Sequence, residues 1–161
     1  MDPVGQGQSL PDKLISDREK HFPNLPASGY RVTSHETPKY NCVAYAAGDE
    51  QNKWDPLPMG HGYYWPPGAK RGLSIDCLIS AFEEIGFEQC LDGTIEPGYD
   101  KVALYVNRDG EWSHAAKQLI DGRWSSKLGN WEDIMHPTPH AVNGPGYGQV
   151  FQYMKRSNQK L

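Results

Sequence analysis

Residues Thr37–Glu50 read TPKYNCVAYAAGDE. A cysteine, Cys42, follows Pro38, Tyr40 and Asn41 and precedes a run of small and apolar residues that stops at Gly48-Asp49. Asn41 is a helix N-cap type and Gly48 a C-terminal stop. The stretch therefore predicts a short helix over 41–48, with Ala44, Ala46 and Ala47 small enough to let it approach its neighbours closely. Cys42 falls at the helix's first position, where unpaired backbone N–H groups and the positive end of the dipole lower a thiol pKa and serve an oxyanion.

Downstream, LSIDCLISAFEEIGF (73–87) is the clearest helix. Ser74 is its cap, Ile75, Leu78, Ile79, Phe82 and Ile85 share one face, and Gly86 ends it. KVALYV (101–106) alternates as a strand. SHAAKQL and RWSSKLG, joined through Asp121-Gly122, form a hairpin. NWEDIMHPTPHAVNGPG (130–146) is expected as loop, with one helical turn at 131–134, and YGQVFQYMKR (147–156) as a last strand. Upstream, Pro11, Leu10, Leu14, Ile15 and Phe22 indicate a short helix, and 23–40 reads as loop with a short strand at 30–32. Helices come first and antiparallel strands follow. The expected fold is α+β, with helices packed on one side of a small antiparallel β-sheet. The expected organisation is a flexible N-terminus over 1–10, one domain over 11–156 and a tail over 157–161.

The totals set bounds on function. The chain has 161 residues, enough for one domain with a substantial core. Five Trp, nine Tyr and four Phe supply bulk that a disordered chain lacks, despite a mean hydropathy of -0.72. Net charge is -4 and no long Lys/Arg run occurs, which speaks against nucleic-acid binding. No apolar run approaches a membrane span, and the N-terminus lacks the basic start and apolar core of a signal peptide. Three widely spaced cysteines make neither a disulfide framework nor a CxxC pair. The expectation is a cytoplasmic protein, or one exported by a signal-peptide-independent route, with no membrane partner.

A reactive thiol needs a base and something to orient that base. His114, between Ser113 and the small pair Ala115-Ala116 at a strand start, is the natural candidate. The alternative reading of Cys42 is a small buried side chain, and that of His114 a partly buried imidazole bonded to backbone. Cys77 and Cys90 read as structural. A zinc set of Cys77, Cys90, His136 and His140 ranks below the thiol reading because only His136-x3-His140 has ligand spacing, so no metal and no cofactor are expected. His61, Tyr63 and Tyr64, in a long aromatic loop, are candidates to line a cleft, whereas Trp65 reads as core. Trp124 and Lys127 are candidates for the cleft rim, with Trp124 alternatively a cross-strand core aromatic. Asn41 is a cap that alternatively contributes to the oxyanion site.

A cysteine at the head of a small-residue helix, a second helix, then a histidine opening a hairpin resembles the papain-like cysteine hydrolases. The compact bacterial NlpC-type and CHAP-type peptidases and amidases are the nearest in this order. The string YNCVAYAAGD…W…YWPPG…VALY…HAAKQL-DG-WSSKLG…DIMH also resembles a family of small bacterial proteins carrying YNCxAYAxGD. The resemblance covers most of 30–155. It implies that Cys42 is the nucleophile and His114 the base, with a third polar group about a dozen residues on, at Ser126. That family's third group is usually His, Asn, Asp, Gln or Glu. Ser126 departs from this, which leaves Asn130, Asp133 and His136 as alternatives. The implied activity is thiol-dependent hydrolysis or acyl transfer on an amide or ester of a peptide or protein, as peptidase, amidase or deamidase. A bacterial effector or toxin with a cognate inhibitor protein fits the absent signal. The alternative is a non-catalytic protein-interaction domain on the same fold.

Overall fold

A computed structural model describes residues 20, 22–57, 62–128 and 132–158. The expected N-terminal helix, the flexible 1–10 segment, His61 and Asn130 lie outside the described residues.

A seven-stranded antiparallel sheet organises the chain. Its strands are β1 (Arg31–Val32), β2 (Glu88–Cys90), β3 (Tyr99–Val106), β4 (Trp112–Gln118), β5 (Trp124–Lys127), β6 (Asp133–His136) and β7 (Gln149–Ser157). The order across the sheet is β1-β6-β5-β4-β3-β7-β2. Three helices precede most of it: α1 (Leu25–Ser28), α2 (Cys42–Ala47) and α3 (Ile75–Glu84). A 3-10 turn, Pro139–Val142, leads back to β7. This is the α+β class that the helix-then-strand order predicts. Among the described residues, no helix is long and apolar enough to cross a membrane.

Strand alternation divides the core in two. On one face, Val102, Leu104, Ala115 and Met154 pack against Val43, Ala44 and Tyr45 of α2 and Leu78 and Phe82 of α3. On the other, Ala103, Tyr105, Ala116, Trp124 and Ile134 pack against Phe22, Leu25, Ala141 and Val142. Both faces are thus covered: α2 and α3 lie on one, α1 and the 3-10 turn on the other. Trp65 is buried and stacks on Trp112 at 5.8 Å between ring centroids.

Four elements differ from the sequence expectation. Leu25–Ser28 and Pro139–Val142 turn helically within segments expected as loop, and both pack on the face opposite α2 and α3, so helices cover both sides of the sheet where one side was expected. Asp133–His136 is a strand, pairing with both β5 and β1, where a helical turn over 131–134 was expected. Its residues alternate between the two faces, but three of its four are polar, chargeable or sulfur-bearing, which masks the alternation. Glu88–Cys90 forms an edge strand on β7 from a segment with no apolar alternation. Edge strands tolerate such polarity because one side meets solvent.

Candidate functional site

The turn into α2 is held by Asn41. Its Oδ1 accepts from the Ala44 N–H at 3.0 Å and the Trp54 N–H at 3.2 Å, and its Nδ2 donates to the Trp54 carbonyl at 2.7 Å. Asn41 is therefore cap and loop clamp together. At the far end, Gly48 takes the left-handed conformation, φ 91°, and its N–H returns to the carbonyls of Ala44 and Tyr45.

This geometry fixes Cys42 at the first position of α2, half-buried as a residue. Burial pushes its thiol up to about 11. The backbone N–H groups of Ala115, Val43 and Cys42 itself, and then the Lys127 charge, act in the opposite direction. The access of Ala115 has a topological cause. β4 and β5 pair only at Lys117–Ser125 and Gln118–Trp124, so their ladder stops short of Ala115.

His114 precedes Ala115 and therefore points to the opposite face. Ala115 belongs to the core under α2, whereas His114 stacks on Tyr147 (3.8 Å between centroids, 5° between planes) and meets the edge of Tyr105 at 4.9 Å. Its Nδ1 is buried with no hydrogen-bond partner, so it makes no bond to the Cys42 thiol. The expected pairing of Cys42 with His114 is not assembled: the sheet lies between them.

What His114 does meet is Ser126, twelve residues on. Its Nε2 lies 3.0 Å from Ser126 Oγ, which lies 2.8 Å from His136 Nε2. His136 Nδ1 lies 2.7 Å from the Thr138 carbonyl. A carbonyl only accepts, so His136 carries its proton on Nδ1 and its Nε2 is a bare acceptor. Ser126 donates to that nitrogen, accepts from His114 Nε2–H, and leaves His114 Nδ1 without a proton. All three side chains are buried, and burial drives both imidazoles toward neutrality: His114 falls well below the usual range and His136 to about 4. The structure thus brings His114, Ser126 and His136 together behind the sheet, away from Cys42.

Beside the thiol stands a different set. Lys127 and Asp133 are directly paired across β5 and β6, and both are buried. Lys127 Nζ lies 5.3 Å from the centroid of Tyr40, whose hydroxyl donates to Asp133 Oδ2 at 2.8 Å. Tyr40 stacks on Tyr45, whose hydroxyl lies 2.7 Å from Ser125 Oγ. Burial lowers the Lys127 ammonium, an effect opposed by the charges of Asp133, Glu132 and Cys42. Burial raises the Asp133 carboxyl, opposed by hydrogen bonds from Tyr40 and Ser34 and by the Lys127 charge. Asp133 Oδ1 is buried without a hydrogen-bond partner. Lys127 and Asp133 are thus a buried charged pair on the thiol's side of the sheet. Lys127 was expected at a cleft rim and is instead buried; its register with Ser125, two residues back on the same face, was the missing signal.

The remaining candidates scatter. Trp124 is buried in the core on the His114 face, 6.0 Å from Tyr153 between centroids, and so does not rim a cleft near Cys42. Tyr63 and Tyr64 are both exposed, Tyr64 with its ring centroid 5.2 Å from that of Trp54. Among the described residues, no three His, Cys, Asp or Glu side chains converge as metal ligands. Cys77 lies 3.4 Å from Ser74 Oγ, and Cys90 sits on the edge strand.

No curated protein and no solved structure matches the chain. The family model of a domain of unknown function, DUF7689, matches residues 31–155, from β1 through Cys42, His114 and Lys127 into β7, and the chain belongs to that family.

Proposed function

We propose that this domain is a thiol-dependent hydrolase or acyl-transferase on a papain-like architecture, with Cys42 as nucleophile and Lys127 as its proton acceptor. The observation that carries this reading is the place of Cys42 at the Asn41-capped start of α2, where backbone N–H groups and the Lys127 charge oppose the effect of burial on its thiol. The substrate class is an amide or ester of a peptide or protein.

The chemistry balances without a cofactor. The neutral Lys127 amine takes the thiol proton, and the thiolate attacks the carbonyl carbon. The oxyanion so formed is held by backbone N–H at the start of α2. Collapse of the intermediate expels the amine or alcohol, which takes the proton back from Lys127 and leaves a thioester. Water or another acceptor then attacks, delivering its proton to Lys127, and the thiol is restored. A buried lysine suits this role because burial opposes its charge, as serine–lysine hydrolases exploit. Asp133 and Tyr40 bear on Lys127 from behind.

The test is the rate of Cys42 alkylation by iodoacetamide against pH, in the native protein and in Lys127→Met. The expected result is a rate that rises in the alkaline range and drops at least about tenfold at pH 8 in the variant, because removing the amine removes the group that takes the thiol's proton. His114→Gln should leave the Cys42 profile in place. Equal rates in native protein and Lys127→Met overturn the assignment of Lys127.

A second reading, a non-catalytic interaction domain, is favoured by two observations: His114 packs among Tyr105 and Tyr147 on the face away from α2, and burial pushes the Cys42 thiol up to about 11. Under that reading Cys42→Ala retains full function in the organism. Under the first reading Cys42→Ala abolishes it.

A further inference from the structure

At the end of α2 opposite Cys42, a cleft of about 290 Å³ opens between the helix's last turn and the β4–β5 hairpin. Ala46, Ala47 and Gly48 wall one side with almost no side chain, and Val102 and Phe87 are among its apolar lining. Its volume lies near the lower end of small-ligand sites, about 300–1,000 Å³.

Three cationic residues line it, and two of them are held by aromatic rings. Lys117 Nζ lies 4.0 Å from the centroid of Tyr45, and the Arg156 guanidinium lies 4.5 Å from that of Phe87. The Arg156 Nη1–H also donates to the Ile85 carbonyl at 3.0 Å. Ring faces position a cation without neutralising it. The carboxylate in the cleft, Asp100, is bonded by Asn158 Nδ2 at 2.9 Å and reaches Arg156 only at 4.0 Å. Lys101 also lines the cleft, but its ammonium is engaged by Asp92 and Glu96 at 3.7 and 3.4 Å. Among the described residues, Lys117 has no carboxylate within ion-pair distance. Beside it, Ile120 is 98% exposed. A surplus cation pinned against a ring, next to a small apolar recess and an uncovered isoleucine, is complementary to one negative charge attached to an apolar body.

We infer that this cleft binds a small carboxylate bearing an aliphatic group, its carboxylate on Lys117 and its aliphatic part against Val102, Phe87 and Ile120. The site is independent of the chemistry assigned to Cys42.

The probe is N-acetylleucine, titrated into the ¹⁵N-labelled full chain and followed by amide shifts, with N-acetylleucinamide as the uncharged control. The expected result is saturable shifts at Gly48, Lys117 and Ile120 with a Kd of about a few millimolar, as befits a small ligand in a shallow site. The amide should bind at least about tenfold more weakly, the worth of one charge-assisted hydrogen bond. Lys117→Met keeps the stem over Tyr45, and its spectrum reports whether it folds; it should lose affinity by a similar factor. Equal binding of acid and amide overturns the proposal, as does no saturable shift at these three amides. If Lys117→Met misfolds, the comparison of acid with amide on the native chain decides alone.

Discussion

The Ser126 hydroxyl serves two imidazoles at once, 3.0 Å from His114 Nε2 and 2.8 Å from His136 Nε2. Because it has one proton, it donates to one ring and accepts from the other. The Thr138 carbonyl, 2.7 Å from His136 Nδ1, determines which. The order of donors therefore runs from His114 through Ser126 and His136 to a backbone oxygen. The chain ties β4, β5 and β6 together on the face away from α2.

Replacing Ser126 by Ala breaks both bonds together. It leaves a buried N–H on His114 without an acceptor and a buried nitrogen on His136 without a donor. Each orphan costs about 1–3 kcal/mol, so the expected loss of stability is about 3 kcal/mol. Urea unfolding at pH 7 measures it. A loss below about 1 kcal/mol would mean that the hydroxyl does not bridge the two rings. Cys42 alkylation in the folded variant should be unchanged, since the thiol lies on the other face.

The same chain predicts an acid-sensitive fold. Both imidazoles stand below the ordinary value of about 6.5, His136 at about 4, and burial is the main cause. The unfolded state therefore takes up these protons first. Their contribution is fully present above about pH 6.5 and is lost as pH falls toward 4. Asp133, whose carboxyl is raised by burial, acts in the opposite sense at lower pH. Between pH 7 and pH 5 the expected loss is at least about 2 kcal/mol by denaturant titration, one depressed histidine over that interval. His136→Gln should flatten this slope by about one proton. A stability independent of pH over this range contradicts neutral, buried imidazoles.

Much of this architecture could be read from residues alone, and the misreadings have physical causes. The α3 helix announced itself through Ile75, Leu78, Ile79 and Phe82, and the β4–β5 hairpin through Asp121-Gly122. Cys42 was correctly placed at the head of a capped helix. The side of the sheet that His114 faces was not legible, because Ala115 and Ala116 are equally apolar and equally small. With no alternation between them, either could lie under α2, and a one-residue difference carries the imidazole through the sheet. Lys127 was discounted for a related reason: its burial depends on Tyr40 and Asp133, which are 87 and 6 residues away in sequence and meet it only in the folded sheet.

Asn41 offers a third test, of the support beneath the thiol. Its side chain makes three bonds, to Ala44, the Trp54 N–H and the Trp54 carbonyl. Asn41→Ala removes the cap and releases the 54 loop, for an expected loss of about 2 kcal/mol. Asn41→Asp keeps the acceptor for the Ala44 and Trp54 N–H groups but sets an oxygen against the Trp54 carbonyl. It should fall between the two in thermal melting. If both variants melt like the native protein, the cap is not what seats Cys42. If Asn41→Ala melts early while Cys42 alkylates faster than before, the thiol has gained exposure from a loosened first turn.

Gly148 allows a last prediction, because it stands beside Tyr147, the ring that covers His114. Its φ is 75°, and a Cβ there would come 2.1 Å from the Val106 carbonyl oxygen. Gly110 has nearly the same φ, 80°, but nothing within 4 Å of the corresponding position. Alanine at either site carries the left-handed backbone cost of about 1–2 kcal/mol. Only at Gly148 does it also force the start of β7 away from β3, against the Gly148–Gly144 hydrogen bonds of 2.8 and 3.0 Å. Gly110→Ala should therefore lose about 1 kcal/mol and Gly148→Ala at least about 3 kcal/mol, the added part reflecting overpacking against backbone. Displacing β7 also draws Tyr147 off His114, so the His114 ring protons should lose their ring-current shift in Gly148→Ala and keep it in Gly110→Ala. Equal costs at the two glycines would mean that β7 has room to yield and that Tyr147 is not pinned over the imidazole by the neighbouring glycine.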